Sequence, residues 1–255
     1  MEKFRLKIYR GTPGHQYWET FELTLRPSLN VISALMEIRK NPVNIEGRRV
    51  EPIVWEDGCL EEVCGSCSML INGRPRQACS ALIQTLINES GNHEITLAPF
   101  TKFPLIRDLR IDRDSMFASL KRVHAWIETD GTFEKGPGPK MSQALQQVRY
   151  SLSTCMTCGC CSEACPQVNK HSKFEGPAPL SLVRLFNSHP TGAKQKKKRL
   201  RAEMTEEGVN SCGNAQNCVR VCPKNIPLTD SIAAIGRDVT LQALRDLFSF
   251  DDRGE

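Results

Sequence analysis

Twelve cysteines constrain this chain of 255 residues more than any other feature, because they fall into three groups with fixed internal spacing. The groups span residues 59–79, 155–165 and 212–222. A chain of this length buries an adequate core without cross-links. Its first residues contain no continuous apolar run of the signal-peptide type, so we expect a compartment in which thiols stay reduced. There, cysteines at regular spacing indicate metal or redox centres.

The first group has the spacing of a plant-type 2Fe-2S ferredoxin. It reads Cys-x4-Cys-x2-Cys with a fourth cysteine after eleven more residues, and its members are Cys59, Cys64, Cys67 and Cys79. Gly65 and Ser66 allow the backbone N–H groups to approach cluster sulfides closely. A zinc site or two disulfides are the alternatives, although zinc sites more often use two paired cysteine knuckles. The spacing therefore predicts a 2Fe-2S cluster.

The second group reproduces the bacterial ferredoxin run for a 4Fe-4S cluster, Cys-x2-Cys-x2-Cys-x3-Cys-Pro, from Cys155 to Pro166. In two-cluster ferredoxins the fourth cysteine of such a run binds the other cluster, so a partner group is required. Cys160 has no place in the run. The third group, at 212–222, supplies the partner cysteine. The predicted 4Fe-4S ligands are therefore Cys155, Cys158 and Cys161 of the second group and Cys222, the last cysteine of the third.

The third group is the same run with Ala215 in place of its second cysteine. Cys165, Cys212 and Cys218 remain as ligands for the other cluster. Three thiolates, with Ala215 at the vacant corner, predict a 3Fe-4S cluster. Two alternatives stay open: a 4Fe-4S cluster whose fourth iron is bound by water, and local substitution by Cys160.

The hydrophobic pattern divides the chain into two domains and predicts an α+β fold. Residues 1–105 alternate apolar and polar positions, with a hairpin signal at Asn72-Gly73, and predict a small mixed sheet with one helix at 31–39. Residues 106–255 carry apolar residues at helical spacing. The helices predicted there cover about 116–127, 142–153 and 227–250.

The remaining motifs favour an electron carrier over a chain with its own substrate site. We find no G-x-G-x-x-G and no phosphate loop. The formal net charge of +5 is modest, and the basic run at 194–201 is interpreted as a solvated helix face. No nucleic-acid partner is therefore expected. No stretch approaches the length of an apolar transmembrane segment.

The chain closely resembles the iron–sulfur subunits of succinate dehydrogenase and fumarate reductase over nearly its whole length. The resemblance rests on the order of the three clusters and on three stretches, CLEEVCGSC at 59–67, INGRPRQAC at 71–79 and CPK at 222–224. It implies a β-grasp 2Fe-2S ferredoxin domain followed by an all-α helical ferredoxin domain. It also implies an electron-transfer subunit between an FAD-containing flavoprotein, which holds the dicarboxylate site, and a membrane anchor that passes electrons to quinone. Such complexes serve the tricarboxylic acid cycle or run as fumarate reductase.

One departure from the family pattern concerns the quinone side. Family members that reduce quinone beside the 3Fe-4S cluster carry Trp shortly after the proline of the second group and His after the first cysteine of the third. This chain has Asn169, Lys170 and Gly213 there. The chain is therefore more similar to the branch with a dihaem cytochrome b anchor, haem b in that partner, and menaquinone as acceptor. The resemblance implies a peripheral subunit on the cytoplasmic face of the cell membrane.

Three other functions remain as alternatives. An iron–sulfur subunit of another flavoprotein dehydrogenase shares this chemistry, but such subunits usually append further cysteine-rich domains. A zinc-binding interaction protein would give a colourless protein without a redox response. A free ferredoxin would not need a chain of this length.

Overall fold

The computed structural model describes residues 2–128 and 139–248, and it divides into two compact units. The first unit extends to Arg113 and also includes Met156–Ala164, whereas the second comprises Asp114–Cys155 and the chain from Cys165 onward. The boundary predicted at residue 105 falls before the end of the first unit. The sequence pattern did not indicate that the segment Met156–Ala164 packs with the N-terminal part.

The first unit is built on a mixed β-sheet. Its strands are β1 (Lys3–Thr12), β2 (His15–Thr24), β3 (Ser68–Ile71), β4 (Arg74–Gln77) and β5 (Glu94–Ala98). They lie in the order β2-β1-β5-β3-β4, with β1 parallel to β5 and the other pairs antiparallel. A separate ribbon pairs β6 (Leu105–Arg107) with β7 (Arg110–Ile111). The predicted mixed sheet is confirmed.

Helix α1 (Val31–Lys40) supplies the other side of this core, and α2 (Ile83–Ser90) adds to it. Phe4, Leu6 and Ile8, which alternate along β1, are buried in the same core as the apolar face of α1, as the alternation of the sequence predicts. The side chain of Asn30 caps α1 by accepting a hydrogen bond from the Ser33 N–H at 2.8 Å. The β3–β4 hairpin turns at Asn72 and Gly73, which both have positive φ, as a two-residue hairpin turn requires.

The second unit is helical. In the part of the chain that the structure describes, the other α-helices are α3 (Asp114–Arg122), α4 (Gln143–Ser153), α5 (Cys160–Ala164), α6 (Pro177–Asn187), α7 (Lys196–Ala202), α8 (Asn217–Val221) and α9 (Leu228–Phe248). All except α5 belong to the second unit. Its core contains Phe174, Leu180, Leu200 and Ile235. The helices predicted at 142–153 and 227–250 are confirmed within the described residues, since residues 249–250 lie outside them. The α+β class is confirmed as well.

Helix α3 is shorter than its apolar spacing predicts, because it ends at Arg122 rather than near residue 127. His124 adopts a left-handed φ of 51°. The N–H of Ala125 then donates to the Leu120 carbonyl at 3.0 Å, and the His124 N–H donates to the Lys121 carbonyl at 3.2 Å. These two bonds form a Schellman motif, which terminates a helix. The apolar spacing continues beyond this motif to residue 127, so the helix end predicted from it is wrong.

The basic run forms α7, but it is not simply the solvated face that the sequence suggests. Lys196 pairs with Asp238 at 2.7 Å, and Lys198 pairs with Glu128 at 3.2 Å. Arg199 is completely buried. Within residues 2–128 and 139–248, no helix is both long enough and apolar enough to cross a bilayer.

The second unit buries the carboxyl group of Glu203 beside Arg122 and Glu175. Glu203 is 1% exposed, and its Oε1 has no hydrogen-bond partner among the described residues. Burial raises the pKa of Glu203 from 4.5 to about 7, although the positive charge of Arg122 opposes the shift. A carboxyl whose pKa is raised by folding favours the folded state most below its unfolded pKa, and that contribution disappears as the pH rises to the folded pKa.

We expect Glu203→Gln to remove this pH dependence. The difference in unfolding free energy between variant and parent should grow in favour of the variant by on the order of 3 kcal/mol as the pH rises from about 4.5 to about 7. Urea unfolding at several pH values measures it, with the exposed Glu206→Gln as the control. A constant difference across that range would contradict the assignment.

Candidate functional site

The first cysteine group lies around the β3–β4 hairpin of the first unit. Cys67 immediately precedes β3 and Cys79 follows β4. The antiparallel hairpin therefore places Cys79 beside Cys67 at its open end. The N–H of Ala78 donates to the Cys67 carbonyl at 3.1 Å, and Asn30 donates from Nδ2 to the Cys79 carbonyl at 2.9 Å. Cys59 and Cys64 lie on the loop before the hairpin. The loop and the hairpin together carry all four predicted 2Fe-2S ligands.

Backbone N–H groups of this loop point at cysteine sulfurs. Cys59 Sγ accepts from the N–H groups of Glu61, Val63 and Cys64 at 3.2–3.4 Å. Cys79 Sγ accepts from the Glu62 N–H at 3.3 Å. Donors of this kind stabilise thiolate ligands and the added negative charge of a reduced cluster.

The loop reaches this shape through residues with positive φ. Leu60, Glu62 and Gly65 have φ values of 61°, 59° and 74°. Left-handed residues alternating with other conformations turn successive N–H groups toward one concave side, a shape that binds anions and iron–sulfur clusters. For Leu and Glu such backbone is strained, which is typical of functional loops.

The thiols of this group differ in acidity. Burial opposes ionisation of Cys64, but hydrogen bonds from the Cys59 N–H and from Ser66 lower the pKa of Cys64 to about 6. Ser66 Oγ lies 2.9 Å from Cys64 Sγ. Burial raises the pKa of Cys67 to about 12. Iron is bound by thiolate, so Cys64 is already prepared for it, whereas Cys67 ionises as the metal binds.

Three cysteines of the second group pack into the first unit. Cys158 is buried just before α5, and Cys160 and Cys161 are buried within it. The carboxylate of Glu163 holds the segment by accepting from the Thr101 N–H at 2.9 Å and from the Lys102 N–H at 3.1 Å. A Cβ atom at Gly65 would lie 3.0 Å from Cys158 Cα, so only glycine permits this approach of the two loops.

Cys160 is fully buried beside these predicted ligands. Its hydrogen bond with Cys158 and its burial raise the pKa of Cys160, and the same bond lowers the pKa of Cys158. Cys160 is therefore held as a thiol next to a cysteine prepared to ionise.

In the second unit, the three predicted 3Fe-4S ligands line one cavity that is partly open to solvent. Cys165, Cys212 and Cys218 lie in its wall together with Ala215, which is exposed. Phe174, Pro177 and Ile232 supply apolar lining. The cavity therefore brings three thiols and an apolar corner together.

The second and third groups share one local structure. Left-handed residues stand two and four positions after the first cysteine of each group, at Thr157 and Gly159 in the second and at Asn214 and Gln216 in the third. Helices α5 and α8 begin at the same offset. The residue between the left-handed pair is Cys158 in the second group and Ala215 in the third. The sequence repeat is therefore also a structural repeat, in which Ala215 occupies the position of a ligand.

The predicted 4Fe-4S set is divided between the units. Cys158 and Cys161 belong to the first unit, and Cys155 and Cys222 belong to the second. This set stays a prediction. In the second unit the N–H of Ile226 donates to Cys222 Sγ at 3.4 Å, which resembles the N–H donation in the first group.

Sequence reasoning missed two polar side chains near the predicted ligands. Gln77, which is 1% exposed, contacts the sulfurs of Cys67 and Cys160 at 3.5 Å. The only sequence feature that could have indicated Gln77 is its position on the buried face of β4. Gln167 lines the cavity of the second unit and covers the face of Gly213.

These residues fit iron–sulfur clusters. Cysteine sulfurs would be the ligands, N–H donors surround those of the first group, and glycine and left-handed backbone allow close approach. The cavity of the second unit brings three further cysteines together. A single zinc ion would not need three cysteine groups with this repeated backbone.

Comparison with known proteins gives two family matches. Residues 5–118 match a 2Fe-2S iron-sulfur cluster binding domain, and residues 150–226 match a 4Fe-4S dicluster domain.

Individual relatives match almost the whole chain. The succinate dehydrogenase iron-sulfur subunit of Bacillus subtilis is 59% identical over 92% of this chain and 91% of its own length. The fumarate reductase iron-sulfur subunit of Wolinella succinogenes is 30% identical over 91% of this chain and 95% of its own.

A solved structure has the same fold. A chain of the Mycobacterium smegmatis Sdh1 complex in the apo form superposes with a TM-score of 0.78 at 21% identity, over 98% of this chain and 99% of that one. Taken with the two cluster-binding domains and the full-length relatives, this places the chain in the family of succinate dehydrogenase and fumarate reductase iron–sulfur subunits, the electron-transfer subunits of these oxidoreductases.

Proposed function

We propose that this chain conducts electrons, one at a time, from an FAD-containing flavoprotein subunit to a cytochrome b membrane anchor with menaquinone as the final acceptor. The observation that carries the proposal is the cavity that Cys165, Cys212 and Cys218 line with Ala215, because it provides three thiols and no fourth. The chain would lie peripherally on the cytoplasmic face of the cell membrane.

The ligand sets in this proposal follow the cysteine spacing. The 2Fe-2S cluster takes Cys59, Cys64, Cys67 and Cys79; the 4Fe-4S cluster takes Cys155, Cys158, Cys161 and Cys222; the 3Fe-4S cluster takes Cys165, Cys212 and Cys218. When bound, such clusters are one-electron carriers whose potentials depend on type, charge, hydrogen bonding and exposure. The chain supplies the thiolates, the N–H donors and the packing that excludes water.

The loop of the first group is the proposed contact with the flavoprotein. Leu60 is 48% exposed and Val63 is 59% exposed, and both lie between Cys59 and Cys64. Large apolar side chains exposed on one functional loop favour a partner interface. A flavoprotein covering them would shorten the path of the electron to the first group.

The cavity of the second unit supports an anchor that carries haem. Gly213 stands where quinone-reducing family members have His, and Gln167 already covers the space that a side chain at that position would need. Asn169 and Lys170, which stand where those members have Trp, are exposed. If electrons leave the cavity through haem in the anchor, quinone does not need to bind beside the cavity.

Purification of the intact complex through a tag on this chain tests the proposal. We expect the flavoprotein and a haem-containing anchor to be recovered, and we expect succinate to reduce the three-iron centre under anaerobic conditions. Recovery of an anchor without haem would contradict the dihaem branch. Reduction by glycolate or glycerol 3-phosphate, but not by succinate, would favour the subunit of another flavoprotein dehydrogenase.

A further inference from the structure

A largely buried positive charge is bound to the loop of the first cysteine group. Arg113 ends the main segment of the first unit, and its side chain is 15% exposed. Its Nη1 donates to the Gly65 carbonyl at 2.9 Å. A Cβ atom at Gly65 would lie 3.0 Å from Cys158 Cα and Cβ, so Gly65 also contacts the second cysteine group. The guanidinium group is therefore bound at a point where the two loops are in contact.

The charge of Arg113 is permanent and its orientation is fixed. An arginine side chain is not deprotonated in proteins. Its Nη2 donates to Glu56 Oε2 at 3.1 Å, so the planar group is held by two different partners. Glu56 is also paired with Arg110 at 3.0 Å, and the Arg110 side chain is 48% exposed. Two arginines therefore share one carboxylate, and this trio keeps one net positive charge.

The bond to Gly65 also acts on the next residue of the loop. The Gly65 carbonyl belongs to the same peptide group as the Ser66 N–H, and it accepts a further hydrogen bond from the Ser68 hydroxyl at 2.7 Å. Backbone and hydroxyl hydrogen bonds from Ser66 lower the pKa of Cys64, so this N–H is directed at the sulfur of a predicted ligand. A charged donor on the carbonyl oxygen polarises the peptide group and strengthens donation from its N–H.

We propose that Arg113 is a positioning residue for electron transfer, whose guanidinium group holds the Gly65 carbonyl and whose charge stabilises an electron at the first and second cysteine groups. The proposal rests on the ligand assignment under the proposed function. An electron from the flavoprotein adds one negative charge to each centre in turn. A fixed positive charge nearby attracts the added charge and favours the reduced state. Arg113 therefore raises the reduction potentials of the 2Fe-2S and 4Fe-4S centres.

Redox titration of the intact complex, followed by EPR, measures both potentials. Arg113→Gln removes the charge and keeps a polar side chain. We expect the ratio of reduced to oxidised 2Fe-2S centre to fall about tenfold, which is about 59 mV for a one-electron couple. A unit charge roughly 12 Å from a centre has an effect of this size at an effective dielectric constant of about 20. The potential of the 4Fe-4S centre should also fall.

Three further variants separate the charge from the packing. Arg113→Lys keeps the charge and should keep the ratio within about twofold of the parent. Arg110→Gln is the matched control, because it removes the other partner of Glu56 from an exposed position where solvent and salt screen the charge, and it should change the ratio by less than about twofold. Glu56→Gln removes the carboxylate that opposes Arg113 and should shift the ratio about threefold toward the reduced form.

The proposal is wrong if Arg113→Gln has the parent potentials with all clusters present. It is also wrong if Arg113→Lys lowers the potentials as far as Arg113→Gln does, because lost packing rather than lost charge would then explain the shift. If Arg113→Gln does not assemble its clusters, Glu56→Gln decides the question: a shift toward the reduced form supports the proposal, and an unchanged or lower potential overturns it. Absence of a 2Fe-2S signal in the parent complex would overturn the proposed function itself.

Discussion

Ala215→Cys is expected to convert the three-iron centre of the second unit into a four-iron centre. Ala215 stands between the left-handed residues Asn214 and Gln216, as Cys158 stands between Thr157 and Gly159. A cysteine there would add a fourth thiolate to the cavity of Cys165, Cys212 and Cys218. Iron should rise from roughly nine to roughly ten atoms per chain, and the near-isotropic EPR signal of the oxidised protein should disappear. We also expect a lower potential and slower reduction of quinone.

Ala215→Ser is the control for this change, because serine has nearly the size of cysteine and no thiolate. It should keep the three-iron signal and the iron content of the parent. An Ala215→Cys protein with the parent's EPR spectrum and activity would show that the ligand pairing is wrong.

Arg199→Met is expected to destabilise the second unit strongly. The guanidinium group is completely buried and donates five hydrogen bonds. Its acceptors are the carbonyls of His124, Trp126 and Gly192 and the side-chain oxygens of Asn187 and Gln195. Methionine fills much of the space but removes all five donated bonds, while the His124 carbonyl and Gln195 Oε1 keep a second donor, the N–H groups of Trp126 and Glu128. We expect a loss of about 3–5 kcal/mol of unfolding free energy, a large fraction of the usual stability of a domain.

Urea unfolding of proteins with equal iron content measures this loss. Arg201→Met is the matched control, since Arg201 lies on the same helix and binds Asp246 at the surface. Exposed ion pairs contribute about 0–1 kcal/mol. Equal midpoints for the two variants would contradict the role assigned to Arg199. Arg199→Lys should fall between them, because lysine cannot reach five acceptors from one ammonium group.

Local signals in the sequence predicted most of the first unit. The alternation in β1 has the period of a half-buried strand, and Asn72-Gly73 has the backbone freedom that a two-residue hairpin needs. The ligand groups, which stay predictions, also follow from local spacing, because an iron–sulfur cluster takes its thiolates from short loops. Structural features that depend on residues close together in the chain can therefore be predicted from a single sequence.

Features set by distant contacts could not be predicted in this way. The segment Met156–Ala164 joins the first unit through the carboxylate of Glu163, which binds backbone 62 residues earlier at Thr101. A charge run usually forms a solvated face, but Arg199 in this run is buried and donates to the carbonyls of His124 and Trp126. Gln77 contacts Cys160 across 83 positions of sequence. Nothing in the spacing of either residue indicates these partners.

The central claim is that the chain carries three different iron–sulfur clusters. Low-temperature EPR of the anaerobically purified protein, with analysis of iron, sulfide and zinc, tests it most directly. We expect roughly nine irons per chain, a near-isotropic three-iron signal when oxidised, and signals of reduced 2Fe-2S and 4Fe-4S centres after dithionite. Zinc in place of iron, without those signals, would contradict the account.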